Sequence, residues 1–558
     1  MEHIKQYQNW LEVLADDADT VADLTAIAGD DTEIYDRFYR NLAFGTGGMR
    51  GVIGAGTNRM NRYTVRKATL GFANYLLATR GDEAKRKGVV ISHDNRHMSR
   101  EFCMETAGVL AAAGIRAYIF DDLRPTPELS FAVRYVGACG GVMITASHNP
   151  PEYNGYKVYD EKGCQLPPHE TDELIEMIGK IENPLGIVSL SPAEAGDLIL
   201  MLSGELDEEY YRAVLGIRLR PDVNAGALTV VYSPQHGTGN VPVRTTLTRA
   251  GYRVVPVLEQ CTSDPAFSAT KSPNPEVPSA YDLCLAKARE VGADIAITTD
   301  PDCDRLGVAV FDGRDYQLIS GNQSGALLLE YILSTRKAQG TLPADAVMCN
   351  TIVTSTLGDR VAEKYGVRVE KTLTGFKFIG EKIAQYETKG GGTYVFGYEE
   401  SYGCLIEDFA RDKDGVQASL MLCEAAAYYK AQGKTLLDVL NDIYAEHGYY
   451  LDAQTNVTHA GAEGVAKIAS LLEVLRREPP RTAGGLAVVE AEDYLSEQMR
   501  KAGFPASNVL RYVLSDGSFV AVRPSGTEPK CKYYYCIVGK DKEEAAEKLA
   551  KIKVAFEK

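Results

Sequence analysis

Apolar positions recur at helical spacing through the first ~40 residues, where Trp10, Leu11 and Leu14 share one face and the acidic stretch from Asp16 to Asp19 interrupts it. After a glycine-rich segment, Gly45-Thr-Gly-Gly-Met-Arg50-Gly, a second helical stretch is predicted from Tyr63 to Leu77. The pattern then changes. Short apolar runs at Val89 to Ser92, Ala117 to Phe120 and Gly141 to Thr145 alternate with helical runs such as Glu101 to Ala113. Buried strands alternating with helices predict a mostly parallel α/β sheet.

The alternation returns twice, at Leu228 to Tyr232, Val254 to Leu258 and Asp294 to Thr298, and again at Ala346 to Cys349, Val367 to Thr372 and Thr393 to Phe396. The last ~100 residues differ. A helix near Val465 to Leu475 precedes two strands, Val509 to Leu514 and Phe519 to Val522, joined across Asp516-Gly517, a hairpin signal. A final helix carries Leu549, Ile552 and Phe556 on one face. The expected fold class is therefore α/β, with three mixed α/β sheet domains and a smaller C-terminal α+β domain. The expected spans are 1–205, 206–322, 323–447 and 448–558. A length of 558 residues agrees with roughly four domains at ~150 residues each.

Composition narrows the functional classes. The formal net charge is −16, from 60 Lys plus Arg against 76 Asp plus Glu. Such a chain is a poor partner for nucleic acid or an anionic membrane, so any anionic ligand needs a local cluster of cations and N–H groups. The 11 cysteines are odd in number and none pairs at C-x-x-C spacing, which predicts buried thiols in a reducing compartment. No signal peptide or membrane span is expected, and the default location is the cytoplasm.

Four segments carry candidate chemistry, each after a predicted strand or hairpin. Thr145-Ala-Ser147-His148-Asn149-Pro150, with Lys157 ten residues beyond Ser147, reads either as a nucleophilic or phosphorylated serine with basic neighbours or as a turn that ends a strand. In Asp300-Pro-Asp302-Cys-Asp304-Arg305, residues i, i+2 and i+4 of an extended or loosely turned backbone point the same way. Three carboxylates so placed repel unless a cation lies between them, and hard oxygen ligands suit Mg²⁺. The alternative is a solvated acidic turn. Gly397-Tyr-Glu399-Glu400-Ser401 suits hydrogen bonds to sugar hydroxyls, or is an ordinary strand exit. Arg523-Pro-Ser525-Gly526-Thr527 combines a guanidinium fork with hydroxyls and N–H donors that suit a phosphate, or is a Pro/Gly loop with incidental charge. The glycine-rich segment at 45–51 matches no dinucleotide fingerprint, because Arg50 occupies the third glycine position, and the chain has no Walker A loop.

In this order and at these separations, the four motifs resemble the α-D-phosphohexomutase superfamily, and within it the bacterial-type α-phosphoglucomutases. The resemblance runs from about Asn41 to Cys536. It implies four domains around a central cleft, each giving one loop. It implies a phosphoserine at Ser147, with Ser147, Asp300, Asp302 and Asp304 as Mg²⁺ ligands. It gives Arg50, His148 and Arg305 supporting roles around the phosphoserine and makes Lys157 a candidate general acid/base. Glu399 and Ser401 would grip sugar hydroxyls. Arg523, Ser525, Gly526, Thr527 and Lys413 would hold the non-reacting phosphate, and Thr374 and Gly375 would belong to a specificity loop. The implied activity is interconversion of glucose 1-phosphate and glucose 6-phosphate, with glucose 1,6-bisphosphate as intermediate and activator. Glu-Glu-Ser at 399–401 favours glucose. The alternatives on this scaffold are a pentose or mannose phosphate substrate, or a catalytically silent phosphosugar-binding protein. Oligomeric state is not read from the sequence.

Overall fold

The computed structural model describes residues 2–45, 47–458, 461–524 and 530–557; within these, the side chains of residues 461–463 and 465 are not described. The chain forms two compact units. The first comprises Met1–Ile319, Gly380–Gly390 and Gly403–Tyr428. The second comprises Ser320–Ile379, Gly391–Tyr402 and Tyr429–Lys558.

The first unit opens with three helices, α1 (Glu2–Val13), α2 (Ala18–Ala26) and α3 (Asp31–Phe38). Asp17 caps α2 by accepting from the Thr20 N–H, which is why the acidic stretch separates α1 from α2. Trp10, Leu24, Ile34 and Phe38 bury against Tyr63 at the start of α4 (Arg62–Arg80).

Seven strands follow: β1 (Phe44–Gly45), β2 (Gly48–Val52), β3 (Val89–His93), β4 (Ala117–Ile119), β5 (Gly140–Ile144), β6 (Tyr153–Asp160) and β7 (Ile199–Met201). They lie in the order β1-β2-β6-β5-β3-β4-β7. Here β5, β3, β4 and β7 run parallel, whereas β1, β2 and β6 join antiparallel. Every residue of β3 and β5 is buried, as expected of central strands covered on both faces.

A second sheet has the order β12-β11-β10-β8-β9, built from β8 (Thr229–Ser233), β9 (Arg253–Pro256), β10 (Ile295–Thr299), β11 (Leu306–Phe311) and β12 (Tyr316–Ile319). Both sheets are mixed, as the expected fold class has them, and less parallel than the alternation of strands and helices alone suggests. Strands β10, β11 and β12 form an antiparallel meander, and β6 turns back along β5. Both returns are made by the chain just after a candidate loop, so the loops are turns between adjacent strands.

The second unit holds β13 (Ala346–Thr351), paired in parallel with both β14 (Arg368–Thr372) and β15 (Thr393–Tyr398). Its other sheet is six-stranded and antiparallel, with Tyr449–Thr458 paired along its whole length to Lys530–Gly539. The predicted hairpin is present, Leu510–Leu514 against Phe519–Pro524, and the helix Lys542–Phe556 packs Ile552 and Phe556 into the core beside it. All 11 cysteines are free thiols, and all but Cys261 are buried. No helix among the described residues is long and apolar enough to cross a membrane.

Candidate active site

Strand β5 ends at Ile144, and the chain turns sharply so that Ser147 takes a left-handed backbone, φ 52°. A non-glycine residue seldom adopts this conformation, and here it is held from several sides. The Ser147 N–H donates to Thr145 Oγ1 at 2.8 Å, and Thr145 Oγ1 donates to Asp94 Oδ2 at 2.6 Å. Arg96 is fully buried, pairs with Asp94 and donates to the carbonyls of Ser147, Asn149, Pro150 and Tyr153. Its guanidinium fork thus sets the path of the whole loop.

Ser147 Oγ donates to Asp300 Oδ2 at 2.9 Å and lies 3.2 Å from His148 Nδ1. Burial, reinforced by the charges of Arg305 and Arg50, drives the His148 pKa well below the usual histidine range. Arg50, on β2, donates to Asn149 Oδ1 at 2.8 Å.

The acidic loop after β10 is more tightly wound than an extended strand. Cys303 is left-handed, φ 53°, and Asp300 Oδ1 accepts from the N–H groups of Asp304 and Arg305, both at 3.1 Å. That turn, rather than a period of two, converges the carboxylates of Asp300, Asp302 and Asp304 to within 4.8 Å of one another. Two glycines let the surroundings close on it. A Cβ on Gly237 would stand 2.5 Å from Pro301 Cα, and one on Gly415 would stand 2.7 Å from the Cys303 carbonyl. Cys303 itself is buried as a filler.

The three carboxylates are fully or nearly fully buried. Burial and the charges of Asp304 and Asp302 push Asp300 well above the usual carboxylate range. Burial opposes charge on Asp302 too, but Lys157 Nζ at 2.8 Å outweighs it and holds Asp302 below that range. Lys157 lies 3.8 Å from Asp304, Lys413 Nζ lies 3.1 Å from Asp304 and from Asp412, and Arg305 reaches Asp304 at 3.7 Å. Even so, Asp302 Oδ1 and Asp304 Oδ1 are buried with no hydrogen-bond partner among the described residues. Leaving such oxygens unpaired is costly, and a small divalent cation satisfies them, so the donor set fits a hard metal ion such as Mg²⁺.

In the second unit, Glu399 accepts from the Gly375 N–H at 2.9 Å, so two of the predicted substrate segments meet. Gly375 needs its φ of 119° for that approach. The Thr374 hydroxyl beside it is buried without a hydrogen-bond partner among the described residues. Ser401 follows in the turn after β15, and Arg523 lies near the end of Phe519–Pro524. Ser525, Gly526 and Thr527 lie outside the described residues.

Models of phosphoglucomutase/phosphomannomutase domains match the chain in order. Alpha/beta/alpha domain I covers residues 41–185, domain II 208–313, domain III 320–447 and the C-terminal domain 460–553. The chain belongs to the phosphoglucomutase/phosphomannomutase family. A phosphoglucomutase of Staphylococcus haemolyticus is 39% identical over 89% of this chain and 90% of its own. One from Staphylococcus epidermidis is 38% identical over 94% and 95%. The open form of parafusin, a phosphoglucomutase from Paramecium, shares the fold, with a TM-score of 0.71 at 19% identity, covering 93% of this chain and 95% of its own.

Three residues that hold these loops escaped the sequence reading. Asp94 and Arg96 follow β3, which lies parallel and adjacent to β5, so the rule that draws attention to strand C-termini applied to them as well. Thr126 closes the acidic loop from the other side. Its N–H donates to the Asp302 carbonyl and its hydroxyl to Asp302 Oδ2, both at 3.0 Å. No local spacing signals that contact.

Proposed function

We propose that the chain is a phosphoglucomutase that interconverts α-D-glucose 1-phosphate and glucose 6-phosphate through phospho-Ser147. The observation that carries this reading is the Ser147 hydroxyl, bonded at 2.9 Å to a buried acidic triad that retains unpaired oxygens. In the first half-reaction the Oγ–P bond of phospho-Ser147 breaks and a bond from phosphorus to the sugar O6 forms. The O6 proton passes to a base, and Ser147 Oγ gains one. The resulting glucose 1,6-bisphosphate turns end for end. In the second half-reaction the O1–P bond breaks, Oγ–P re-forms, the Oγ proton leaves and O1 gains one. The phosphoryl group is conserved over the cycle, and free glucose 1,6-bisphosphate re-primes an enzyme that has lost it.

Lys157 and His148 are the groups assigned to move these protons, and Arg50 and Arg305 offset charge on the transferring phosphoryl oxygens. Mg²⁺ held by Asp300, Asp302, Asp304 and Ser147 supplies further positive charge there when bound. Glu399 and Ser401 take sugar hydroxyls, and the loop with Thr374 and Gly375 sets specificity. Arg523, Ser525, Gly526 and Thr527 hold the non-reacting phosphate. Lys413, at the edge of the triad, adds a cation for a phosphate. The proposed domain boundaries fall near 205, 322 and 447, and the proposed location is the cytoplasm.

The test is kcat/KM for α-glucose 1-phosphate and α-ribose 1-phosphate, side by side, with Mg²⁺ and catalytic glucose 1,6-bisphosphate. The expected result is a large glucose preference. A pentose preference overturns the substrate, and isomerisation of neither overturns the activity.

A further inference from the structure

Away from the catalytic loops, the first unit holds a cavity of about 200 Å³ that no step above uses. Its walls include Trp10 of α1, Phe44 and Met49 from β1 and β2, Lys67 on α4, and Ile175 and Ile178 of the helix Pro168–Gly179. The Trp10 wall lies outside the segment matched by the family's domain I, residues 41–185. At Ile178, one of these walls, the helix Pro168–Gly179 already packs tightly on α4. A Cβ on Gly71 would stand 2.3 Å from Ile178 Cγ1, so the space cannot close by bringing them nearer.

Lys67 is the one charged residue among the described residues that line the cavity. It is half-buried and has no carboxylate partner among the described residues, and burial alone lowers its pKa. A cation left unpaired beside apolar walls is unfavourable, and an anion seated against it offsets that cost. Size sets the rest. An apolar cavity of ~150 Å³ accepts benzene, so this one admits a body of about six carbons with a carboxylate at one end. We propose that the cavity binds a small monocarboxylate with an apolar body, its carboxylate on Lys67 Nζ and its hydrocarbon against Trp10, Phe44 and Ile178. Such a ligand would press on Met49, whose neighbour Arg50 bonds to Asn149 in the phosphoserine loop.

Trp10 is the only tryptophan in the chain, so its emission reports on the site directly. The full chain is titrated with hexanoate and, at equal ionic strength, with 1-hexanol. The expected result is a saturable emission change, with hexanoate about tenfold or more tighter, the difference one charge-assisted hydrogen bond makes. Lys67→Met removes that preference and Lys67→Arg keeps it. A change that does not saturate, equal affinity for the two probes, or a preference that survives Lys67→Met overturns the proposal. None of these readouts depends on mutase activity.

Discussion

The Ser147 hydroxyl donates to Asp300 Oδ2 at 2.9 Å, joining loops that lie 153 residues apart in sequence. The left-handed backbone at Ser147 aims that hydroxyl, and an alanine there removes the oxygen that the proposed cycle phosphorylates. Ser147→Ala is expected to lower turnover by about 10⁴-fold or more, the scale of losing a covalent nucleophile. Sugar phosphate binding should remain measurable by calorimetry, and intact-mass analysis should show no phosphorylated form. Full turnover in this variant would exclude the phosphoserine cycle.

Much of this loop could be read in advance. A short apolar run at Gly141 to Thr145 leading into Ser147 to Pro150 is a local signal, as are the three aspartates at every second position. Their geometry did not follow from that spacing. Cys303 is left-handed, and the Asp300 side chain accepts from two backbone N–H groups ahead of it, so a turn brings the carboxylates together. Strand β11 begins directly after that turn and pairs antiparallel with β10, which apolar alternation alone does not distinguish from a parallel arrangement. Arg96 lay furthest from view. Its role consists of carbonyls 51 to 57 residues away, and nothing in the spacing of Asp94 and Arg96 announces them.

The unpaired oxygens of Asp302 and Asp304 make a prediction about stability. A cation that binds the folded chain and not the unfolded one stabilises it by about 2.7 kcal/mol at a free concentration ~100 times its Kd. Mg²⁺ added to metal-stripped protein should therefore raise Tm in a concentration-dependent way, and chelation should reverse the gain along with activity. Replacing Asp302 with Asn should abolish most of the shift. A Tm indifferent to Mg²⁺ in the unaltered protein would remove the triad as a metal site.

Arg96 offers a test of loop positioning. It is buried, paired with buried Asp94, and spreads its donors over four carbonyls. A lysine has one compact ammonium and cannot reproduce that fork. Breaking a buried pair typically costs ~3–5 kcal/mol. Arg96→Met is expected to lose an amount of that order in urea unfolding. Arg96→Lys should lose less stability, yet lower kcat with little change in KM, because Ser147 is misplaced rather than absent. Wild-type kcat in Arg96→Lys would show that the fork does not position the nucleophile.

Glu128 gives the chain a pH dependence that can be signed in advance. Its carboxyl is fully buried, while Arg124 commits its fork to Asp207, with bonds of 3.0 and 2.8 Å, and stays 4.0 Å from Glu128. Burial first, and then the charge of Asp207, push the Glu128 carboxyl well above the usual range, so in the folded chain it holds its proton to higher pH than a free carboxyl does. The unfolded chain releases that proton above pH ~4.3. Between there and the raised folded value, the folded state binds one more proton than the unfolded state. Stability therefore falls as pH rises, by ~1.4 kcal/mol per pH unit from this group alone. A glutamine has the shape of the neutral acid and no proton to lose. The Tm of Glu128→Gln should accordingly lie close to that of the unaltered protein near pH 4 and rise relative to it toward pH 8. A Tm difference that stays constant across this window would mean that Glu128 is ionised in the folded chain.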